Sequence, residues 1–288
     1  MTYRRRASPL HAARASVACL WCAALAVAAL AAEHPAVLAG VLLAALGSAA
    51  AAGVGRDVLR FSAFVGLTLA LLIAVGNALV SREGLTVIAR LGEIPPFGQV
   101  DITLEALGYG AILGLRALAV IACCALYFSA VDPDEVLRLF RRFGFRSALT
   151  ATLATRMVGV LAADGRRLAD GQRCRPGPPA SRLALVRAVT AGALDRATDV
   201  AAALEVRGYG TARRPPHARR PWSRHDVAFL ASAIAILALT VAAAAGGLAE
   251  VDASGALELT PGAGPWLLAA ALLAAALLPF ADRRGIVR

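Results

Sequence analysis

The sequence predicts an all-α integral membrane protein with about six transmembrane helices and a cytoplasmic insertion of long helices. Three observations lead to this class. The 288 residues are 59% hydrophobic, with a mean hydropathy of +0.66, whereas soluble domains are nearer to half apolar. Only 6% of the residues are aromatic, and the small apolar side chains that dominate let helix backbones approach closely. Several apolar runs are also about as long as a membrane-crossing helix.

Six apolar runs are predicted to be spans, and breakers or charges separate them. The first follows an arginine-rich start, a pattern that also occurs in secretory signals, but its length and the later runs favour a span. Glu33, His34 and Pro35 separate it from the second run, and a polar connection covers 81–103. The predicted spans are 15–32, 36–52, 61–80, 104–130, 227–248 and 265–281.

The spans fall into two groups around a charged region. We expect an N-terminal membrane domain over 1–131, a cytoplasmic helical region over 132–224 and a C-terminal membrane hairpin over 225–288. Between 131 and 224 the sequence has 18 arginines and 8 acidic residues. Arginine-rich segments stay on the cytoplasmic side of a membrane. Six spans then place both termini inside, so we expect a multi-pass protein of the inner (cytoplasmic) membrane.

Three helices are predicted in the cytoplasmic region. An Asp-Pro-Asp-Glu start at 132–135 begins the first, because Asp can cap, Pro suits the first turn and acidic residues suit the positive helix end. The second covers 147–175 and stops at a proline-rich turn, and the third covers 181–207 and stops at Gly208. The third has one apolar stripe at three- and four-residue steps. Its members are Leu183, Val186, Val189, Ala193, Ala197, Val200 and Leu204.

Both long helices end in an arginine beside a proline or glycine break, with Arg175 before Pro176 and Arg207 before Gly208. An arginine fork can pair with a carboxylate through two parallel hydrogen bonds. A projecting helix of this kind could therefore dock in a partner subunit and act as a lever. The alternative is that these arginines only complement the helix dipole and keep the segment inside. The residue pattern alone leaves both interpretations open.

The segment 162–210 resembles the cytoplasmic region of the T component of energy-coupling factor (ECF) transporters, the CbiQ/EcfT-like family. The hallmark of that family is a pair of Ala-Arg-Gly motifs at the ends of two coupling helices. Here the motifs read Cys174-Arg175-Pro176 and Val206-Arg207-Gly208, so both arginines are kept, while both alanines and the first glycine are replaced. The likeness extends, in family order, to segments 9–11, 101–107 and 132–137.

The resemblance implies a division of labour. Two ATP-binding-cassette (ABC) ATPase subunits would hydrolyse ATP, and a small substrate-binding membrane subunit, the S component, would bind a vitamin or transition-metal ion. This chain would be the non-catalytic scaffold that joins them. The resemblance assigns ATPase coupling to Cys174, Arg175, Pro176, Val206, Arg207 and Gly208. It assigns Leu183, Val186 and Val189 to the face toward the substrate subunit or the companion helix.

Composition agrees with this division, because all thirty basic residues are arginine and the chain has no lysine. A P-loop needs a lysine on the nucleotide phosphates, so any ATP that drives transport must be bound by another subunit. The five cysteines are interpreted as small apolar residues without a metal, cofactor or disulfide framework. They are Cys19, Cys22, Cys123, Cys124 and Cys174.

Three other functions fit the sequence less well. A membrane enzyme is not expected, because no span contains paired acids or a metal-binding set, and the four histidines lie near membrane edges or in loops. A stand-alone secondary transporter is the alternative function, for which Arg116 and Asn77 are the candidate polar residues inside spans. The arginine-rich stretch 213–224 is interpreted as a juxtamembrane anchor at the lipid surface, not as a nucleic-acid site.

Overall fold

The computed structural model describes residues 6–80, 87–94, 98–140, 145–174, 176, 181–208, 221–246, 262–282 and 284. The chain divides into two compact units. One comprises Met1–Val136 and Trp222–Arg288 and is called here the membrane unit. The other, Leu137–Pro221, is called the inserted unit. Helices make up most of the described residues, which confirms the all-α class.

The helices and strands are numbered in chain order. They are α1 (Pro9–Ala12), α2 (Ala15–Ala31), α3 (Pro35–Ala51), α4 (Gly55–Phe61), a π-helical turn (Ser62–Gly66), α5 (Leu67–Val80), β1 (Val87–Ile94), β2 (Gly98–Thr103), α6 (Leu104–Ala130), α7 (Pro133–Phe140), α8 (Phe145–Arg173), α9 (Arg182–Val206), α10 (Arg224–Ala245), α11 (Gly264–Leu277) and a short 3-10 helix (Leu278–Phe280).

Six apolar helices occupy the positions of the six predicted spans. Three are long and apolar enough to cross a membrane, namely Gly55–Leu79, Leu104–Ala130 and Arg224–Ala245. The other three, Ala15–Ala31, Pro35–Ala51 and Gly264–Phe280, are shorter. A helix of 17 residues is about 26 Å long, slightly less than the hydrocarbon core of about 30 Å. The chain is therefore a helical membrane protein, and the count of six crossings stays a prediction.

The third apolar helix begins earlier than predicted. The sequence placed charges around Asp57 at the end of the previous span, but a helix starts at Gly55 and continues through the π-helical turn Ser62–Gly66 into α5. Asp57 lies in its first turn, where a carboxylate is favoured by the helix dipole. Arg6 pairs with Asp57 at 3.3 Å. The charges therefore open this helix, which is why the span prediction from hydropathy began too late.

Small residues bring the helices of the membrane unit close together. A Cβ atom added to Gly110 would lie 2.8 Å from the carbonyl oxygen of Ala74, and one added to Gly114 would lie 2.7 Å from that of Ala70. The backbones of α5 and α6 thus touch where these glycines lie. This close approach confirms the packing expected from the small-residue composition.

A ring cluster and a hydrogen-bond chain join α2 to the C-terminal helices. Trp21 contacts Phe229 edge-on at 5.4 Å and Phe280 at 5.9 Å between ring centroids, and the two phenylalanines lie 5.2 Å apart. The indole N–H of Trp21 donates to Ser232 Oγ at 2.9 Å, and this hydroxyl donates to the Ala275 carbonyl at 2.6 Å. The first and last apolar helices therefore share one core.

The connection predicted to be polar contains two strands. β1 pairs with β2 in an antiparallel register from Val87 opposite Thr103 to Ile94 opposite Gly98. The sequence did not reveal them because apolar and polar residues in β1 do not alternate, which is the usual signal of a half-buried strand. Thr103 ends the hairpin and caps α6, since its hydroxyl accepts from the N–H of Ala106 at 3.3 Å.

The helices predicted within 132–224 form close to the predicted positions. Asp132 Oδ1 accepts from the N–H of Asp134 at 2.9 Å at the start of α7. The two long helices, predicted at 147–175 and 181–207, are α8 and α9. Ser181 caps α9 by accepting from the N–H of Ala184 at 3.2 Å. Local capping signals explain this agreement, because they act within one helical turn.

Candidate functional site

The end of α9 presents the second arginine motif to solvent. The N–H of Arg207 donates to the carbonyl of Ala203 at 3.2 Å, and that of Gly208 donates to Glu205 at 2.9 Å. Gly208 has a φ of +74°, a left-handed conformation that a glycine adopts without steric penalty and that commonly ends helices. Arg207 is exposed, and 89% of Val206 is exposed. The helix thus ends at Arg207.

The end of α8 presents part of the first motif. Cys174 is exposed, and its N–H donates to the carbonyl of Asp170 at 3.3 Å. The neighbouring Arg173 pairs with Asp170 at 3.4 Å, and both side chains are largely exposed. Pro176 is also exposed, whereas Arg175 lies outside the described residues. The α8 end therefore combines a helix terminus with exposed positive charge.

The two ends suit acidic partners. A helix C-terminus carries partial negative charge, which a nearby arginine offsets. Within the described part of the inserted unit, Arg207 forms no ion pair. A solvated guanidinium of this kind keeps its donors available to a carboxylate, and Arg stays charged at any physiological pH.

α8 and α9 contact each other where 164–168 lies against 188–196. Asp164 Oδ2 lies 2.8 Å from Arg196 Nη2. Next to this pair is a cleft of about 320 Å³, lined from α8 by Asp164, Arg167 and Leu168, and from α9 by Ala188, Val189 and Gly192. The sequence did not predict this ion pair, because the pattern within one helix does not show which residues of another helix it faces.

The apolar stripe predicted on α9 differs in exposure along its length. Leu183 and Val186 are 60% and 56% exposed, whereas Val189 is half-buried and lines the cleft against α8. The half-buried residues of α9 form one row at three- and four-residue steps, and one of them is charged. They are Leu185, Val189, Ala193, Arg196, Val200 and Leu204. The N-terminal part of the stripe is therefore exposed, whereas the half-buried row includes Val189 and Arg196, which face α8.

The two polar residues of the spans have partners within the chain. Arg116 Nη2 donates to the carbonyl of Ala32 at 2.9 Å and lies 3.7 Å from Glu33 Oε1. Asn77 Nδ2 donates to the carbonyl of Ala106 at 3.0 Å. Arg116 thus holds the break between α2 and α3 against α6. These contacts give both residues a structural role, which weakens the case for a stand-alone secondary transporter.

Metal-binding side chains are not clustered in the part of the chain that the structure describes, where no group of three His, Cys, Asp or Glu residues suits a metal ion. All five cysteines are free thiols. Cys22 and Cys123 are buried in the apolar core, as small apolar residues would be.

A buried contact missed by sequence reasoning joins the two ends of the membrane unit. Asp226 is fully buried and accepts from the backbone N–H groups of Arg14 and Ser223. Ser223 and Asp226 form a capping box at the start of α10. The Ser-x-x-Asp spacing was the available signal, but it does not reveal the distant partner Arg14.

A family model described as "Cobalt transport protein", CbiQ, matches residues 6–218. The match covers well over half of the chain and includes both arginine motifs. No curated protein sequence matches the chain.

Proposed function

Because the chain belongs to the CbiQ family of cobalt transport proteins, we propose that it is the transmembrane coupling subunit of an ATP-driven ECF-type importer. In this function the chain is a non-catalytic membrane scaffold. It transmits the motion of two ABC-type ATPase subunits to a substrate-binding membrane subunit, which takes up a vitamin or a transition-metal ion.

The observation that supports coupling most directly is the pair of long helices with exposed, arginine-bearing ends. α8 has 29 residues and α9 has 25, which correspond to about 44 Å and 38 Å. Helices of this length transmit a displacement at one end to contacts far along the axis. Arg207, Cys174 and Pro176 are exposed at these ends, where a partner would reach them.

We propose that each end docks in an acidic groove of one ATPase. The fork of Arg207 would pair with a carboxylate in two parallel hydrogen bonds, and Arg175 would do the same at the other end. Closure of the ATPases on ATP would then move both helix ends. Since the chain contains no lysine, the phosphate-binding lysine of a P-loop would come from those partner subunits.

The substrate subunit would contact the exposed apolar positions of α9. Leu183 and Val186 each expose more than half of their surface, and exposed apolar side chains on a helix are typical of contact with a partner or with lipid. Val189 would act from the other side, by holding α9 against α8. The substrate would be selected by that small subunit.

The orientation follows from charge. We propose that 132–224 and both termini are cytoplasmic and that the protein resides in the inner membrane, because arginine-rich segments are retained inside. The stretch 213–224 would lie near the lipid surface, where basic residues are attracted to anionic headgroups.

Affinity purification in mild detergent from the native membrane, followed by mass spectrometry, tests this function. The expected result is recovery of ABC-type ATPase subunits with a small, very hydrophobic membrane protein. A chain that purifies alone yet binds or transports a solute would contradict the coupling role and support a stand-alone secondary transporter.

A further inference from the structure

One ion pair joins α8 to α9 in a partly shielded position. Asp164 Oδ2 and Arg196 Nη2 are 2.8 Å apart, with side chains 25% and 38% exposed. The second terminal nitrogen of Arg196 is shielded from solvent and has no hydrogen-bond partner among the described residues. By contrast, the pair of Arg173 with Asp170 lies within one helix, and both of its side chains are largely exposed. The Asp164–Arg196 pair is thus less exposed than the Arg173–Asp170 pair, and it joins two helices instead of lying within one.

Apolar packing around this pair is loose. Among its described residues α9 has none that is buried. A Cβ atom added to Gly165 would only reach ordinary contact with Val189 at 4.0 Å, and one added to Gly192 would meet nothing within 4 Å. The cleft of about 320 Å³ opens beside these residues. Non-directional apolar contact therefore leaves the relative position of the helices weakly defined, whereas a hydrogen-bonded ion pair is directional.

The pair also lies at a similar distance from both helix ends. From Asp164, α8 continues for about two and a half turns to Arg173, and from Arg196, α9 continues for about three turns to Arg207. Two arms of similar length thus extend from one contact point. The arms extend to opposite sides of this point, because 164–168 of α8 lies against 196–188 of α9, so the angle at which the helices cross sets the separation of the two ends.

We propose that the Asp164–Arg196 ion pair is the pivot that sets the separation of the arginine-bearing ends of α8 and α9. This inference rests on the proposed function, since the separation matters because each end docks in an ATPase. Asp164 and Arg196 are positioning residues: they act by placing the helix ends and need not touch a partner. The loose packing around the pair permits the helices to rotate about it, and the ion pair defines the centre of that rotation.

Spin labels on the two helix ends test the pivot in the full chain. One label is placed on Cys174 and the other on Val206→Cys, with the remaining four cysteines replaced by alanine. Electron–electron double resonance then measures the distance distribution between them. We expect D164R and R196D each to increase, by about fivefold, the population of molecules whose label separation lies outside the main peak of the parent protein. This is the effect of losing one partly exposed ion pair. The double variant D164R/R196D restores the pair with opposite polarity and should return the original distribution.

Two further variants make the outcome decisive. R187D/D195R reverses two exposed charges on α9 and should leave the distribution unchanged. Asp164→Asn removes the charge while keeping the side-chain shape. If D164R does not fold, Asp164→Asn replaces it and should give the increase in population at other distances that is expected of D164R. Single variants that match the parent, or a double variant that fails to recover, would overturn the pivot. Copurification with ATPase subunits is a separate measurement, so failure of the proposed function is distinguishable from failure of the pivot.

Discussion

The guanidinium of Arg14 and the buried carboxylate of Asp226 form an ion pair across 212 positions of sequence, with Nε 3.4 Å from Oδ2. The backbone N–H of Arg14 also donates to Asp226 Oδ1 at 2.7 Å, and that of Ser223 donates to Oδ2 at 2.9 Å. The guanidinium lies over the ring of Trp222, 5.0 Å from its centroid. These contacts tie the start of α2 to the start of α10.

Asp226→Asn is expected to destabilise the protein by about 3 kcal/mol, because it leaves the charge of Arg14 without its buried partner. Thermal unfolding of the purified protein in detergent measures the loss. Asp57→Asn is the matched control, since it breaks the exposed pair with Arg6 and should change stability by less than about 1 kcal/mol. Equal losses of stability in the two variants would show that the buried ion pair contributes no more to stability than the exposed one.

Arg207→Glu and Arg175→Glu are each expected to weaken copurification of the ATPase subunits by about tenfold or more, because a like charge would face the docking carboxylate. The double variant should abolish uptake. Arg187→Glu reverses an exposed charge on α9 away from its end and should copurify normally. The coupling role would be refuted by a double variant that assembles and transports like the parent.

Gly114→Ala is expected to destabilise the membrane unit by about 1–3 kcal/mol, the usual effect of overpacking a tight contact. The reason is that its Cβ would lie 2.7 Å from the Ala70 carbonyl oxygen. Gly76→Ala on α5 provides the control, because a Cβ there meets nothing within 4 Å. That change should be neutral or stabilise by up to about 1 kcal/mol through helix propensity. Chemical unfolding in mixed detergent compares the two.

His34 is expected to make stability depend on pH. The side chain is buried between α2 and α3 and caps α3, because Nδ1 accepts from the N–H of Ala36 at 3.2 Å. Burial lowers the pKa of His34 below its ordinary value, since it disfavours the charged imidazolium.

The direction of this pH dependence of stability follows from proton binding. The unfolded chain binds a proton first, so the contribution of His34 is fully present above about pH 6.5 and is lost as the pH falls toward the lowered folded-state pKa. Melting temperatures between about pH 8 and pH 5 measure this loss. His34→Asn keeps a capping side chain without a titrating group, so its profile should be flatter. Parallel profiles in the parent and the variant would rule out this titration.

Elements with local signals were predicted well. The bounds of α6 agree with the prediction of 104–130, and Ser181 caps α9 where the third cytoplasmic helix was placed. Hydropathy and capping act within a few turns of one helix, so adjacent residues contain the information. The predicted ATPase contacts and the role of Leu183 and Val186 stay predictions, because they concern surfaces toward other subunits.

The sequence by itself determined the membrane class, the places of the apolar helices and the two arginine-bearing helix ends. Tertiary structure alone decided the partners of the charged residues, as in Arg14 with Asp226 and Asp164 with Arg196. The sequence left Arg116 open, and packing of α6 against the α2–α3 break paired it with Ala32 and Glu33. The physical reason is range: a helix forms from neighbouring residues, whereas an ion pair between helices depends on how distant segments pack.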